Sequence, residues 1–261
     1  MSKAKLHPGI PEQDYIDLPG VRVSTLKRCL DNPHAAKDPW AGSDAMLLGS
    51  LVHCMVLEPD KVEERYAVCE IRRDARTKAY QEFLAENEGK EILANAIWNQ
   101  AQSMTDAITA HPAIAYVNTA KSIECGITFD VNGLLVKGKA DVIVYDDDGV
   151  LCIPDVKTTR DASKRNFARD CARMHYGMQL AAYGYGVAKA IDADPLGFRY
   201  LVLAVENNGT PRVACWELDA ESVVFGLEQL NDAALAYTEQ DEAGWPVNYN
   251  ENFEPISLPK W

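Results

Sequence analysis

Asp155 and Lys157 stand two apart in CIPDVKTT (152–159), and Asp141 interrupts the apolar run GKADVIV (138–144) fourteen residues upstream of Asp155. Side chains two apart on a strand share a face, so the Asp155 carboxylate and the Lys157 ammonium point the same way if 150–157 is extended. A tight turn between the two runs brings Asp141 alongside them. Two carboxylates and an ammonium converging in this way suit a hard divalent cation held through oxygen. The lysine is then placed to position a water against a phosphodiester. The spacing by itself is weak evidence, because Glu88-Gly89-Lys90 repeats it in a polar, helical stretch. An ion pair at a strand end is the bland reading of 155–157. What sets 155–157 apart is the apolar strand it ends, the acid across the turn and the long helix that follows.

That helix carries Gln179 and Tyr183, which at i and i+4 share one face and suit either contact with a nucleotide or ordinary helix-face hydrogen bonding. Arg165, Arg169 and Arg173 repeat every four residues. They form a cationic stripe suited to phosphates, or a solvated face paired to Asp161 and Asp170. His53 lies inside the apolar segment LLGSLVHCMVL (47–57), where a lone histidine is more often a hydrogen-bonded core residue than a ligand.

These residues need a scaffold. Residues 1–20 are polar and broken by Pro and Gly, and predict an irregular arm. Ser24 before TLKRCL predicts an N-capped short helix. The 47–57 segment, ended by Glu58-Pro59, predicts a buried helix, and 77–110 one or two amphipathic helices stopping near His111-Pro112. After Thr119 the pattern changes to strands at 122–130, 134–145 and 150–157. They are joined by Asn132-Gly133 and by the DDDG turn at 146–149, giving an antiparallel meander. Residues 161–189 read as helical. A second hairpin follows (198–206, turn 207–209, 212–218), and a helix at 220–240 closes the pattern. This order predicts a mixed α/β fold with one central sheet flanked by helices. Residues 21–261 are read as one domain: a helical part at 21–118, a catalytic core at 119–240 and an acidic tail at 241–261.

The 261 residues are 47% hydrophobic and 25% charged, an ordinary globular balance with enough chain to bury a full core. No run approaches the ~18 apolar residues of a membrane span, and the N-terminus has no apolar signal core. A soluble cytoplasmic protein with no membrane partner is expected. The seven cysteines contain no C-x-x-C pair, so a zinc ribbon is not expected. The net charge of −13 argues against a polyanion partner until its distribution is considered. Residues 217–261 hold ten acids and one lysine, whereas 71–78 hold four bases and one acid, and 160–173 five bases and two acids. An acidic exterior with local basic stripes is compatible with a nucleic acid held on one face.

GKADVIV…IPDVKTT followed by MQLAAYGYG resembles the PD-(D/E)XK nuclease superfamily, in its RecB-like branch. More closely, the chain resembles the exodeoxyribonuclease VIII (RecE-type) family of phage and prophage recombination exonucleases. Pro19-Gly20-Val21 with Ser24, LLGSLVHCMVLEPD (47–60), RRDARTKAYQEFLAE (72–86) and the 122–186 region match in order. The resemblance implies a restriction-endonuclease-like core in which His53, Asp141, Asp155 and the backbone carbonyl of Val156 hold Mg²⁺, with Mn²⁺ accepted by the same donors. Glu124, on the neighbouring strand, is the weakest of the implied ligands. Lys157 would activate the attacking water, and Gln179 and Tyr183 would support the site and touch DNA. Arg72, Arg73, Arg76 and Lys78 become phosphate contacts alongside Arg165, Arg169 and Arg173.

The implied activity is Mg²⁺-dependent 5′→3′ digestion of linear double-stranded DNA in the cytoplasm of a bacterial host. It would leave 3′ tails for a single-strand annealing protein, and the family tends to form a toroidal homo-oligomer, here a tetramer. A structure-specific endonuclease of the same fold and a non-catalytic DNA-end scaffold are the rival readings. Only Cys215 follows the 161–189 helical stretch that carries Gln179 and Tyr183, so no iron–sulfur cluster is expected.

Overall fold

A computed structural model describes residues 4–39, 42–71 and 74–245, together with Phe253 and Pro255. The strands are β1 (Lys5–His7), β2 (Val21–Arg22), β3 (Tyr66–Cys69), β4 (Glu91–Ala94), β5 (Ser122–Val131), β6 (Leu134–Tyr145), β7 (Leu151–Thr159), β8 (Arg199–Glu206) and β9 (Val213–Glu217). The helices are α1 (Glu12–Asp17), α2 (Val23–Asp31), α3 (Asp44–Leu57), α4 (Val62–Arg65), α5 (Lys78–Glu86), α6 (Asn95–Ala110), α7 (Ala115–Asn118), α8 (Lys164–Arg173), α9 (Tyr176–Ile191) and α10 (Ala220–Ala243). The fold is mixed α/β, with a central mixed sheet between helical layers.

The main sheet runs β1-β5-β6-β7-β8-β9, with β2 lying parallel beside β6. Asn132 and Gly133 have φ of 51° and 89°, the pair of positive values that a two-residue hairpin turn needs between β5 and β6. β6 and β7 pair only at Val144–Cys152 and Tyr145–Leu151. Beyond that point they part. β7 runs parallel to β8 along its whole remaining length, while the start of β6 takes β2. The expected meander is therefore a short antiparallel stem that opens into a fork. A parallel β7–β8 pair requires a long crossover, and α8 and α9 supply it.

Two cores sit on the two faces. One holds Leu26 of α2, Met178 and Leu180 of α9 and Leu230 of α10; the other holds Leu51 of α3 and Met104 and Ile108 of α6. β8 feeds both alternately, Tyr200, Val202 and Ala204 one way and Leu201, Leu203 and Val205 the other. A strand covered on both faces is a near-continuous apolar run, as YLVLAV (200–205) is between Arg199 and Glu206. The small residues of α9 let it lie close on the sheet. A Cβ at Gly186 would stand 2.6 Å from Ile127 and from Phe129.

Several expected elements are corrected. The described part of the expected arm, residues 4–20, is not irregular, because β1 pairs with β5 and α1 stands over β6, where Lys137 Nζ donates to the carbonyl oxygens of Tyr15 (3.3 Å), Ile16 (2.8 Å) and Leu18. Ser24 is inside α2, whose N-cap is Arg22, since β2 holds the chain extended only as far as that residue. α3 begins earlier than 47, where the Ser43 hydroxyl accepts from the Met46 N–H (3.3 Å). The 77–110 region contains β4 between its helices; β4 pairs in parallel with β3, and neither strand belongs to the expected pattern. The 161–189 stretch is broken at His175, whose φ of 50° ends α8 and starts α9. α10 runs through 241–243, so the acidic tail begins as helix, and most of the tail lies outside the described residues.

Candidate active site

The fork between β6 and β7 is where the chemistry-bearing residues meet. Continuing the Val144–Cys152 register would set Asp141 opposite Asp155. Because the strands have parted there, the Val156 N–H donates to Asp141 Oδ2 (2.9 Å) instead of to a β6 carbonyl. On the other side of β6 the β5 ladder is in register except for one skipped pair, Glu124 opposite Asp141. Glu124 has φ of 50°, uncommon for a non-glycine residue and a mark of strain that functional sites retain. The faces of the sheet exchange at this point. Ile123 packs with the α3–α6 core and Cys125 with the α9 core, and Val142 and Ala140 divide in the same way.

α3 contributes His53, whose Nδ1 lies 3.3 Å from Asp141 Oδ2. One donor atom each from His53, Glu124 and Asp141 falls within 4.8 Å of the others. Donors on opposite sides of an octahedral Mg²⁺ are ~4.2 Å apart, so small side-chain closure would let the three share an ion. Together with Glu12 and Lys139 they line a cleft of about 460 Å³. A second cleft of about 710 Å³ shares Ser50, Arg65 and Tyr66 with it and continues toward Asp44 and Glu91.

The electrostatics ask for a cation. Burial, with Asp155 nearby, pushes the Asp141 carboxyl up to about 7. Burial and the Asp141 charge also raise Glu124, although Lys139 is ion-paired to it and to Glu12 (2.7 Å). His53 is pushed below its ordinary value by burial and then by Lys157, which favours the neutral imidazole that ligates metals. Asp155 is 0% exposed; its Oδ2 is ion-paired to Lys157, and its Oδ1 has no hydrogen-bond donor. Burial works against the Lys157 charge, but Asp155 and Asp141 outweigh it and hold the ammonium above its ordinary range. Buried acids that leave a carboxylate oxygen without a donor fit a hard divalent cation.

The family signature settles which fold this is. A PDDEXK-like domain of unknown function, DUF3799, matches residues 23–252. The chain belongs to this PDDEXK-like family. Among solved structures, a "putative exonuclease" from Eubacterium rectale is 15% identical, with 96% of this chain and 97% of that chain covered and a TM-score of 0.63. At that identity the likeness is one of fold. A phage related exonuclease from Haemophilus somnus aligns over 89% of this chain and 99% of its own at 14% identity, with a TM-score of 0.35, too low to argue from. No curated protein matches the sequence.

Within this PDDEXK-like fold, the compact donor group contains Glu124, the weakest of the ligands implied by the sequence, and does not contain Asp155, which is turned to Lys157. Val156 is buried at the fork. Gln179 Nε2 donates to the Tyr183 hydroxyl (3.0 Å), and Gln179 Oε1 accepts from Lys27 Nζ (2.8 Å). Lys27 carries no sequence signal, since its helix reads as ordinary amphipathic packing. Lys139 does carry one, because it precedes Asp141 by two and so shares its face. Arg165, Arg169 and Arg173 are exposed on α8, with Arg173 paired to Asp170 (3.3 Å). Arg76 is exposed and bonded twice to Asp74 at 3.0 Å, and Lys78 pairs with Glu82 (3.2 Å). Arg72 and Arg73 lie outside the described residues. Among the described residues, no helix is long and apolar enough to cross a membrane.

Proposed function

We propose that this protein is a Mg²⁺-dependent exonuclease that shortens one strand of linear duplex DNA from its 5′ end. The observation that carries the reading is the buried group of His53, Glu124 and Asp141 beside the Asp155–Lys157 pair. His53, Glu124 and Asp141 would hold the ion, with Asp155 and the Val156 carbonyl adjoining. A divalent cation bound there supplies Lewis acidity toward the phosphoryl oxygens and lowers the pKa of bound water. Lys157 orients the attacking water and offsets the charge that develops on the phosphorus oxygens. Asp155 fixes the ammonium, and the Tyr176 ring, 5.0 Å from Lys157 Nζ, walls its other side. Gln179 and Tyr183, hydrogen-bonded to each other, would support the site from the same helix.

The motif order shared with RecE-type enzymes supports the 5′→3′ direction, the annealing-protein partner and the toroidal tetramer. The exonuclease name carried by the Eubacterium rectale protein agrees with the reaction class.

The test is linear duplex labelled at either the 5′ or the 3′ end, incubated with Mg²⁺ beside covalently closed circular duplex and a Lys157→Ala control. Early release of the 5′ label from linear DNA alone, absent in the variant, is expected. Cutting of the circle would indicate an endonuclease instead, and cleavage of neither would indicate a DNA-end scaffold.

A further inference from the structure

Lys27 is a second lysine at the site, and neither the metal group nor the D-x-K pair accounts for it. It reaches the site from α2, far from β7 in the chain, and is partly buried. Its Nζ stands 5.0 Å from the Tyr176 ring centroid, the same distance as Lys157 Nζ. Its hydrogen bond goes to a neutral acceptor, the Oε1 of Gln179 (2.8 Å). The charged neighbours are Lys157 and Asp155 from β7 and Asp31 from its own helix; Asp31 is already engaged by His175 (2.8 Å). The α9 groups against it are the Tyr176 ring and the Gln179 amide, which is bonded in turn to the Tyr183 phenol, all uncharged near neutral pH.

Two ammonium groups on one aromatic ring repel, and a half-buried cation held by an amide oxygen is under-compensated. Burial and the Lys157 charge accordingly bring Lys27 down to about 7. An anion entering between the two lysines would relieve both costs at once. On the α3 rim the cations of the cleft, Arg65 and Lys139, are already ion-paired, Arg65 to Glu58 and Lys139 to Glu12 and Glu124.

We infer that Lys27 is a substrate contact, binding a phosphate of the strand being cut on the α9 side of the site, with Gln179 as its positioning residue. This rests on the nuclease reading above and identifies which side of the fork the strand occupies. Gln179 thereby holds the ammonium in place until DNA arrives, and Tyr183 in turn holds the amide.

The experiment compares wild type, Lys27→Met and Lys27→Arg on a fluorescent linear DNA duplex. Binding is followed by anisotropy in EDTA across a salt series, and cleavage is followed in Mg²⁺. Losing one charge-assisted phosphate contact should raise Kd and KM by about ten- to a hundredfold. It should also shrink the salt slope of binding by about one. Lys27→Arg should keep the slope, and the melting temperature of each variant shows that it is folded. A wild type that binds and cuts, with Lys27→Met matching it in slope and KM, overturns this inference alone. So does a folded Lys27→Arg that loses the slope as Lys27→Met does. A wild type that neither binds nor cuts overturns the nuclease reading and this inference together.

Discussion

Asp141 is the residue at which the site's function conflicts with the protein's stability. Its carboxyl is pushed up to about 7 by burial and by Asp155, against 3.8 for a free side chain. The native state therefore keeps a proton that the unfolded chain releases, so this group's contribution to stability falls as pH rises from about 4 to about 7 and then levels off. Lowered groups such as His53 act in the opposite sense, so the clean measurement is a difference between proteins. Asp141→Asn can still accept from the Val156 N–H through its amide oxygen. In EDTA it should equal wild type near pH 4 and exceed it by about 1–2 kcal/mol at pH 8, the usual gain from relieving a strained functional site. Urea unfolding at the two pH values checks this, and a wild type as stable as the variant at pH 8 would refute it. Metal binding has the reverse sign, because the carboxylates must shed protons before they ligate. Mg²⁺ or Mn²⁺ should raise the melting temperature of wild type more at pH 8 than at pH 6. Glu124→Gln should lose about 10- to 100-fold in affinity, at least the scale seen when groups behind the ligands are changed.

At the scale of elements, what the sequence reveals is local. Asn132-Gly133 specifies its hairpin by backbone preference alone, and D-x-K places two side chains on one face by strand period alone. The fork that makes the site is not legible, because β7 leaves β6 for β8, a partner more than forty residues away across two helices. β3 and β4 escape a sequence reading for a related reason: four residues each, and parallel, they have neither length nor a turn to announce them. Lys27 and the left-handed Glu124 are also products of tertiary packing. The close approach of α9 to the sheet yields a prediction at this scale. A Cβ at Gly138 of β6 would stand 2.7 and 2.9 Å from the Tyr183 ring, so Gly138→Ala overpacks and should cost about 1–3 kcal/mol. It should also lower cleavage by shifting the Tyr183–Gln179–Lys27 row. Gly49 of α3 is the internal control, because the nearest atom to its added Cβ is Thr158 Oγ1 at 3.6 Å, an ordinary contact. Gly49→Ala should leave the fold intact or stabilise it by up to ~1 kcal/mol through helix propensity. Calorimetry on the pair distinguishes packing from a general intolerance of substitution.

For the whole molecule, the proposed function raises the question of how a chain of net charge −13 would engage a polyanion. Ten acids and one lysine lie in residues 217–261, which include α10, while the cations proposed to meet DNA lie elsewhere, on α2, β7 and α8 and in residues 72–78. The two sets act over different distances. The Debye length is ~30 Å at 0.01 M salt and ~10 Å at 0.1 M, so acids remote from the site repel DNA only when salt is low. Lysines and arginines in contact with phosphate are weakened by salt at every concentration through counterion competition. The two effects oppose each other as salt rises. With Mg²⁺ fixed and monovalent salt varied, kcat/KM on linear duplex should pass through a maximum, unlike the steady fall of a uniformly basic nuclease. Neutralising acids on the exposed side of α10, as in Glu228→Gln with Asp232→Asn, should move the maximum to lower salt and raise the low-salt rate without changing kcat. Removing Arg169 and Arg173 should instead lower the high-salt limb, where local contacts dominate. A monotonic fall in wild type would mean that the acidic surface is turned away from the approaching duplex, as it would be on the outside of a closed ring whose channel is lined by α8.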